Sequence, residues 1–387
     1  MRVGLIAGEY PPDQGGVGDF TREVGRALVK LDHEIHVITG ESANQRISES
    51  RITNRESLAA HRVIKSWGWH CWKQILTLAQ ELGLDVLNIQ YQAAAYRMHP
   101  AINFVPRRQG RPPVVVTFHD LKVPYLFPKA GPLRWQAVRM LARRADSVIV
   151  TNHEDYVRLE REIPQARLGM IPIGSNIAPA SPPGYDRAAE RARRGIEPGD
   201  LLLRYFGFLN ESKGGEELIR ALALLVERGL PAHLLMIGGR VGSSDPTNRA
   251  YAEHIERLIA ELGLAQRVHW TGYSRPEEVS AALLALDVCV LPYRDGVSFR
   301  RGTLHACLAH GRAVVTTRPA LPLPEVQDGE NMLLAAPHDP QALADGIMRV
   351  AADPVLRARL EAGAAALAAG FTWERIARQT AALFGRL

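Results

Sequence analysis

Four short segments carry residue types that can do chemistry. Gly15-Gly16-Val17-Gly18 stands between an apolar run and a helical pattern. Glycines there let the backbone approach a ligand, and a helix start offers unpaired N–H groups to an anion. Thr117-Phe118-His119-Asp120 closes a run of valines, and a histidine in that place can donate to a sugar hydroxyl or a carbonyl. Gly207 to Gly215 sets Lys213 beside glycines at a strand-to-helix turn, where an ammonium and backbone N–H groups can hold a phosphate. Asp295 to Leu304 sets Arg300 and Arg301 before Gly302-Thr303-Leu304 at another such turn, a combination suited to a diphosphate. Each has a plainer reading too: a tight turn, a polar loop histidine, a solvated lysine, an exposed basic turn. The third and fourth segments fall in the same half of the chain, so together they can hold one diphosphate. Neither the dinucleotide fingerprint nor a P-loop is matched.

The elements that must position these segments read as two α/β series. Arg2–Ala7 is a buried-strand pattern, and Val17, Phe20, Val24, Leu28 and Leu31 follow at helical spacing. Ile35–Thr39, Asp85–Ile89, Val114–Phe118, Ser147–Val150 and Gly169–Ile173 read as further strands, with helices between them. Residues 178–200, rich in proline, glycine and charge, read as a linker or short helix. Leu201–Phe206, His233–Ile237, Val268–Thr271, Val288–Leu291 and Val314–Thr317 are the strands of the second series. The expected division is 1–177, a linker at 178–200, 201–370, and a C-terminal helix in 371–387. In such sheets ligands bind at the carboxyl ends of the strands, which is where all four segments lie.

Bulk properties agree with a globular chain. It has 387 residues, 46% hydrophobic and 23% charged, so disorder and a disulfide scaffold are not expected. Three widely spaced cysteines, Cys71, Cys289 and Cys307, read as reduced thiols in a cytosolic protein. The start lacks a secretory pattern, and no apolar stretch is long enough to span a membrane. The net charge is +6, and the surplus is confined to residues 1–175, with 23 Lys+Arg against 17 Asp+Glu.

The order and spacing of these pieces resemble the retaining, nucleotide-sugar-dependent glycosyltransferases of family 4, whose GT-B fold has two facing Rossmann-like domains around a cleft. Pro11-Pro12 through Gly18 resembles the family's glycine loop, and Leu31–Thr39 its second strand. Thr117–Asp120 resembles its His-Asp segment, Ile171–Gly174 its hinge-side strand, and Gly207–Gly214 its Lys-Gly phosphate loop. Ala309–Thr317 resembles the stretch after its donor motif. The resemblance covers nearly the whole chain. It implies that Gly16 lies by the donor diphosphate, that His119 touches the transferred sugar, that Lys213 binds the diphosphate, and that Gly302–Leu304 caps it. It also implies retention of anomeric configuration, and that the helix Trp373–Phe384 crosses back to the first domain.

Two departures stand out. The family carries Arg after the glycine of the phosphate loop, where this chain has Phe208. It also carries two glutamates eight residues apart, at places held here by Ser298 and Ala306. The expected compensation is that Arg300 or Arg301 replaces the phosphate ligand, and that Ser298 or Asp295 takes part of the sugar contact. Tyr273 is a base-side neighbour. No Asp-x-Asp stands where a metal would need it. Transfer is therefore expected to need neither metal nor cofactor, with Lys213, Arg301 and helix dipoles stabilising the leaving diphosphate.

Acceptor clues fall in the basic half. Trp67, Trp69 and Trp72 cluster with Lys65 and Lys73, and residues 97–144 hold ten Lys+Arg, among them Arg107, Arg108 and Arg111, against Asp120 alone. The acceptor is a glycan, a lipid-linked glycan or a small molecule. A cytoplasmic place with peripheral contact to an anionic membrane is expected, alongside the plainer reading of a solvated basic face. No motif calls for nucleic acid. Two rivals stay open: a nucleotide-sugar epimerase of the same fold, and a degenerate sugar-nucleotide-binding protein.

Overall fold

The structure, a computed structural model, describes residues 1–13, 15–41, 58–106, 110–121, 131–207, 209–238, 246–272 and 274–387. Two compact units account for the chain: Met1–Gly174 together with Phe371–Leu387, and Ser175–Gly370.

The first unit is built on strands β1 (Arg2–Ala7), β2 (Glu34–Gly40), β3 (Leu58–Ile64), β4 (Val86–Tyr91), β5 (Val114–Phe118), β6 (Ser147–Val150) and β7 (Leu168–Met170). They form a parallel sheet in the order β3-β2-β1-β4-β5-β6-β7. Its helices are α1 (Gly16–Val29), α2 (Cys71–Glu81), α3 (Gly131–Arg144) and α4 (His153–Leu159), joined by the C-terminal α12 (Trp373–Phe384). Both faces are covered, which is why the central strands are near-continuous apolar runs. Ile6, Leu87, Val114 and Val116 pack under α2 and α3, while Val3, Leu5, Val86 and Val115 pack under α1 and α12. The alternation along Val114-Val115-Val116 is the two-residue period of a strand sorting side chains to opposite layers.

The second unit carries β8 (Leu201–Phe206), β9 (Ala232–Ile237), β10 (Val268–Trp270), β11 (Val288–Leu291), β12 (Val314–Thr317) and β13 (Leu333–Ala335), in the order β10-β9-β8-β11-β12-β13. Helices α5 (Arg187–Ala192), α6 (Gly215–Glu227), α7 (Pro246–Glu261), α8 (Pro276–Ala285), α9 (Gly302–Ala309), α10 (Pro340–Ala352) and α11 (Pro354–Ala368) surround it. Residues 178–200 belong to this unit. Arg191 of α5 is buried and bonded to Asp287 and to the carbonyl of Asp200.

Both sheets reverse direction of growth once, between β1 and β4 and between β8 and β11. Those are the switch points where α/β sheets open a crevice. The loops after β1, β5, β8 and β11 carry the four segments singled out above.

One expectation is corrected. Cys289 on β11 and Cys307 on α9 form a disulfide, and Cys71 is free and buried. The pair is 18 residues apart in sequence, but α9 folds back over β11 and brings the two Cα atoms to 6.7 Å. Linear spacing does not reveal that return.

Candidate active site

In the second unit, β8 ends at Phe206 and the chain turns at Gly207, whose φ of +103° suits glycine. A methyl group there would meet Lys213 Nζ at 3.0 Å and the Thr303 methyl at 3.3 Å. The Lys213 ammonium and the first turn of α9 therefore converge on one spot. Asn210 fixes the turn by accepting the Lys213 backbone N–H at 3.2 Å and the Ser212 hydroxyl at 2.9 Å. Gly214, at φ +69°, lets the chain pass the Pro292 carbonyl and start α6.

The loop after β11 is braced from the same side. Arg294 reaches Glu211 and Glu217, each at 2.7 Å, which ties that loop to the start of α6. Tyr293 is buried, with its hydroxyl 2.7 Å from Thr303 Oγ1 and its ring 4.9 Å below the Arg301 guanidinium. Burial pushes the Tyr293 phenol up to about 12, so it stays protonated.

The charges are unevenly available. Asp295 accepts from Arg300 at 2.5 Å and from Arg301 at 2.8 Å. Arg301 also approaches the Ser212 hydroxyl, while its buried Nε has no hydrogen-bond partner. A buried N–H of a cation without an acceptor is costly, and an anion at this place would relieve it. Lys213 lies close enough to Arg301 that burial and their mutual repulsion lower its pKa to about 8. Two cations and the α9 N-terminus thus face one small region, and Gly302 has open space beside it. Leu304 is fully buried, so it contributes backbone alone.

Of the sequence candidates, Lys213, Arg301, Gly302 and Thr303 come together. Arg300 is the more deeply buried arginine, and Asp295 is taken up by both guanidiniums. Ser298 is buried and lends its backbone carbonyl to the Arg301 N–H. The expected sugar contact from Asp295 or Ser298 therefore competes with a structural duty at both residues. Tyr273 lies outside the described residues.

Gly15, Gly16 and His119 belong to the first unit. A side chain on Gly15 would strike the Glu9 carboxylate, which accepts the Val17 backbone N–H at 3.2 Å. That carboxylate serves the N-terminus of α1 from within the chain. Burial outweighs those N–H bonds and raises its pKa. Gly16, by contrast, has open space beside its Cα. Arg62 of β3 holds the loop in place by donating to the carbonyls of Tyr10 at 3.0 Å and Pro11 at 2.6 Å.

His119 follows β5, and its backbone N–H donates to the Tyr91 carbonyl at the end of β4. Its ring lies edge-on to Phe20 of α1, with centroids 4.6 Å apart. Nε2 is 2.9 Å from Gln90 Oε1. The Gln90 amide N–H donates to Asn88, whose own amide donates to Thr117 Oγ1 at 3.1 Å. Gln90 thus turns its oxygen to the ring, so Nε2 carries the proton and Nδ1 is the basic nitrogen. Burial pushes the imidazole down to about 3, and it is neutral at physiological pH.

Sequence reading missed Glu9, Gln90, Tyr293 and Arg294. Gln90 and Tyr293 stand at strand ends beside recognised segments, which is the one signal they offer.

Among the described residues of the basic stretch 97–144, four arginines have partners. Arg111 pairs with Asp146, Arg139 and Arg143 pair with Glu162, and Arg144 lies 5.8 Å over the Phe104 ring. Both acids lie outside the stretch. Arg107 and Arg108 are outside the described residues. Trp67 and Trp72 are buried, whereas Trp69 is 62% exposed.

A family model described as "Glycosyltransferase Family 4" matches residues 14–178, and one described as "Glycosyl transferases group 1" matches residues 201–353. A D-inositol 3-phosphate glycosyltransferase of Corynebacterium efficiens is 31% identical over 99% of this chain and 95% of that protein. The corresponding protein of Corynebacterium urealyticum is 31% identical over 64% of this chain, a match that spans only 58% of its own length. Among solved structures, Anabaena HepE in complex with UDP and glucose covers both chains fully, with a TM-score of 0.77 at 20% identity. That likeness shows the shared two-domain α/β GT-B fold.

Proposed function

This chain belongs to the family 4, group 1 glycosyltransferases, and on that premise we propose that it transfers a hexose-type sugar from a nucleoside-diphosphate sugar to an acceptor hydroxyl. The observation that carries the reading is the convergence of Lys213, Arg301 and the α9 N-terminus on one region with a buried, unpartnered Arg301 N–H. Such a cluster suits the charge that grows on a diphosphate as its bond to the sugar breaks.

In this reading the two cations and the Gly302 and Thr303 N–H groups hold the leaving diphosphate, and transfer needs no metal. The neutral His119 is a hydrogen-bonding partner for the sugar, and its protonation state is held by Gln90. Retention follows from the family, with the leaving phosphate taking the acceptor's proton on the same face. The glycine loop around Gly16 admits the donor. The names of the relatives favour a transferase over an epimerase. The loss of the two glutamates favours a second reading, a protein that binds the donor without turnover.

Titration with UDP and UDP-sugars, followed by product analysis with donor alone and with excess EDTA, tests these statements. Donor-dependent transfer that survives EDTA is expected. Interconversion of the donor sugar without acceptor would mean an epimerase. Tight binding with no turnover against any acceptor would mean the binding protein.

A further inference from the structure

The His119 imidazole is held at two points. Nε2 meets Gln90 Oε1, and the ring stands edge-on to Phe20 at an interplanar angle of 71°. One hydrogen bond alone lets a ring swing about the bonded atom, so the aim of Nδ1 depends on the second contact. A side chain keeps a single orientation when packing locks it from more than one side.

Phe20 is buried near the start of α1, and a second ring reaches it from the other end of the chain. The Trp373 ring, which opens α12, stands edge-on to Phe20 at 63° with centroids 5.3 Å apart. Both spacings lie where edge-to-face rings attract and hold their angle. Phe20 is thus the middle ring of three.

Trp373 also sits where the chain passes between its two units. The first unit is left at Gly174 and re-entered at Phe371. A methyl group on Gly174 would meet Trp373 Cε2 at 2.9 Å and the Phe371 carbonyl at 3.1 Å. The indole therefore lies against the backbone of the first crossing, and its own backbone continues from the second. Ile173 and Trp373 both pack on the apolar layer that holds Phe20, Ile171 and Ile376. Domain movements are taken up in the backbone of such crossings. Close packing passes a shift there to the indole, from the indole to Phe20, and from Phe20 to the imidazole.

We infer that Trp373 is a positioning residue for His119, acting through Phe20, and that it links the aim of the imidazole to the backbone of the two crossings. The inference rests on the transferase reading, in which His119 meets the sugar, and deepens it. The diphosphate cluster of Lys213 and Arg301 belongs to the second unit, so loss of the indole should spare it.

The test uses the full chain with 15N-labelled histidine. The His119 signals, assigned with His119→Gln, report the tautomer in the free protein. The parent should show the Nε2–H form alone. Trp373→Leu and Phe20→Leu should each give a mixture of tautomers, and Trp373→Phe should keep the single form. Gly174→Ala pushes on the indole but removes no ring, and should behave like Trp373→Leu; it decides the matter if the leucine variants fold poorly. With UDP-glucose as donor probe, Trp373→Leu should lower turnover about fivefold, the worth of one edge-on ring pair, with UDP affinity unchanged. In a Phe20→Leu background the same change should cost nothing further. A single tautomer in both Trp373→Leu and Gly174→Ala, or losses of turnover that multiply in the double variant, overturns the inference. No turnover by the parent chain, or unchanged turnover in His119→Gln, would instead overturn the transferase reading, and the tautomer measurement stands apart from it.

Discussion

The Nε2 atom of His119 lies 2.9 Å from Oε1 of Gln90, and the Gln90 amide is itself oriented by Asn88. The bond selects one tautomer of an imidazole that burial keeps neutral. Gln90→Leu removes the acceptor and frees the ring. Turnover should fall about tenfold with little change in donor KM, in line with an unmade buried hydrogen bond. Gln90→Glu would place a carboxylate against the ring and raise its pKa from about 3, so the acid limb of the kcat profile should move to higher pH. A purely structural role for Gln90 would leave that limb in place.

Lys213 offers a second pH signature. Its pKa of about 8 means that the unliganded protein loses this charge as pH rises through that value. UDP affinity measured calorimetrically between pH 7 and pH 9.5 should decline across that interval. Lys213→Met should bind UDP roughly 10- to 100-fold more weakly, with the decline abolished. The folded pKa lies below that of an unfolded lysine, so the charge destabilises the free fold at neutral pH and its removal raises stability. Lys213→Met should therefore melt higher than the parent protein without ligand. A lower melting temperature would contradict the environment assigned to this side chain.

Asp295 and Arg301 should give opposite effects. Arg301→Ala removes a diphosphate ligand and should weaken UDP binding. Asp295→Asn leaves two well-buried guanidiniums without their shared carboxylate, which should cost about 3 kcal/mol of stability. The same change gives an incoming diphosphate two unneutralised cations, so UDP should bind more tightly and protect the variant against heat. Parallel weakening of UDP binding in both variants would show that Asp295 itself touches the donor.

Gly15→Ala tests the crowding by Glu9. The added methyl meets the carboxylate, and a loss of about 2 kcal/mol is expected. The double variant with Glu9→Ala should recover most of that loss, because the obstacle has gone. Thermal melts of the three proteins are sufficient. If the double variant simply adds the two losses, the glycine is required for another reason.

The strands that carry the site were legible because parallel strands covered on both faces are written as apolar runs. Arg2–Ala7, Val114–Phe118, Ser147–Val150, Leu201–Phe206, Val288–Leu291 and Val314–Thr317 coincide with β1, β5, β6, β8, β11 and β12. The edge strands β3 and β13 were not, since Leu58–Ile64 mixes charge with apolar residues and Leu333–Ala335 is too short for a period. Lys213 and Arg301 could be read from glycine-rich turns. Their partners could not. Whether Asp295 is a ligand or a counter-ion depends on where two arginines fold back. Gln90 and Glu9 act through side-chain directions that no spacing encodes. The pairing of Arg111, Arg139 and Arg143 could not be read either, because Asp146 and Glu162 reach them only through the fold.

The return of Phe371–Leu387 to the first unit bears on how the protein is made. Ile376, Ala377 and Phe384 are buried in the layer that also holds Val3, Leu5 and Val37. Residues of β1 and β2 therefore leave the ribosome long before α12, and their core closes only once α12 follows. Throughout synthesis the nascent first unit carries an uncovered apolar strip where α12 will lie, and the second unit, contiguous in sequence, is complete first.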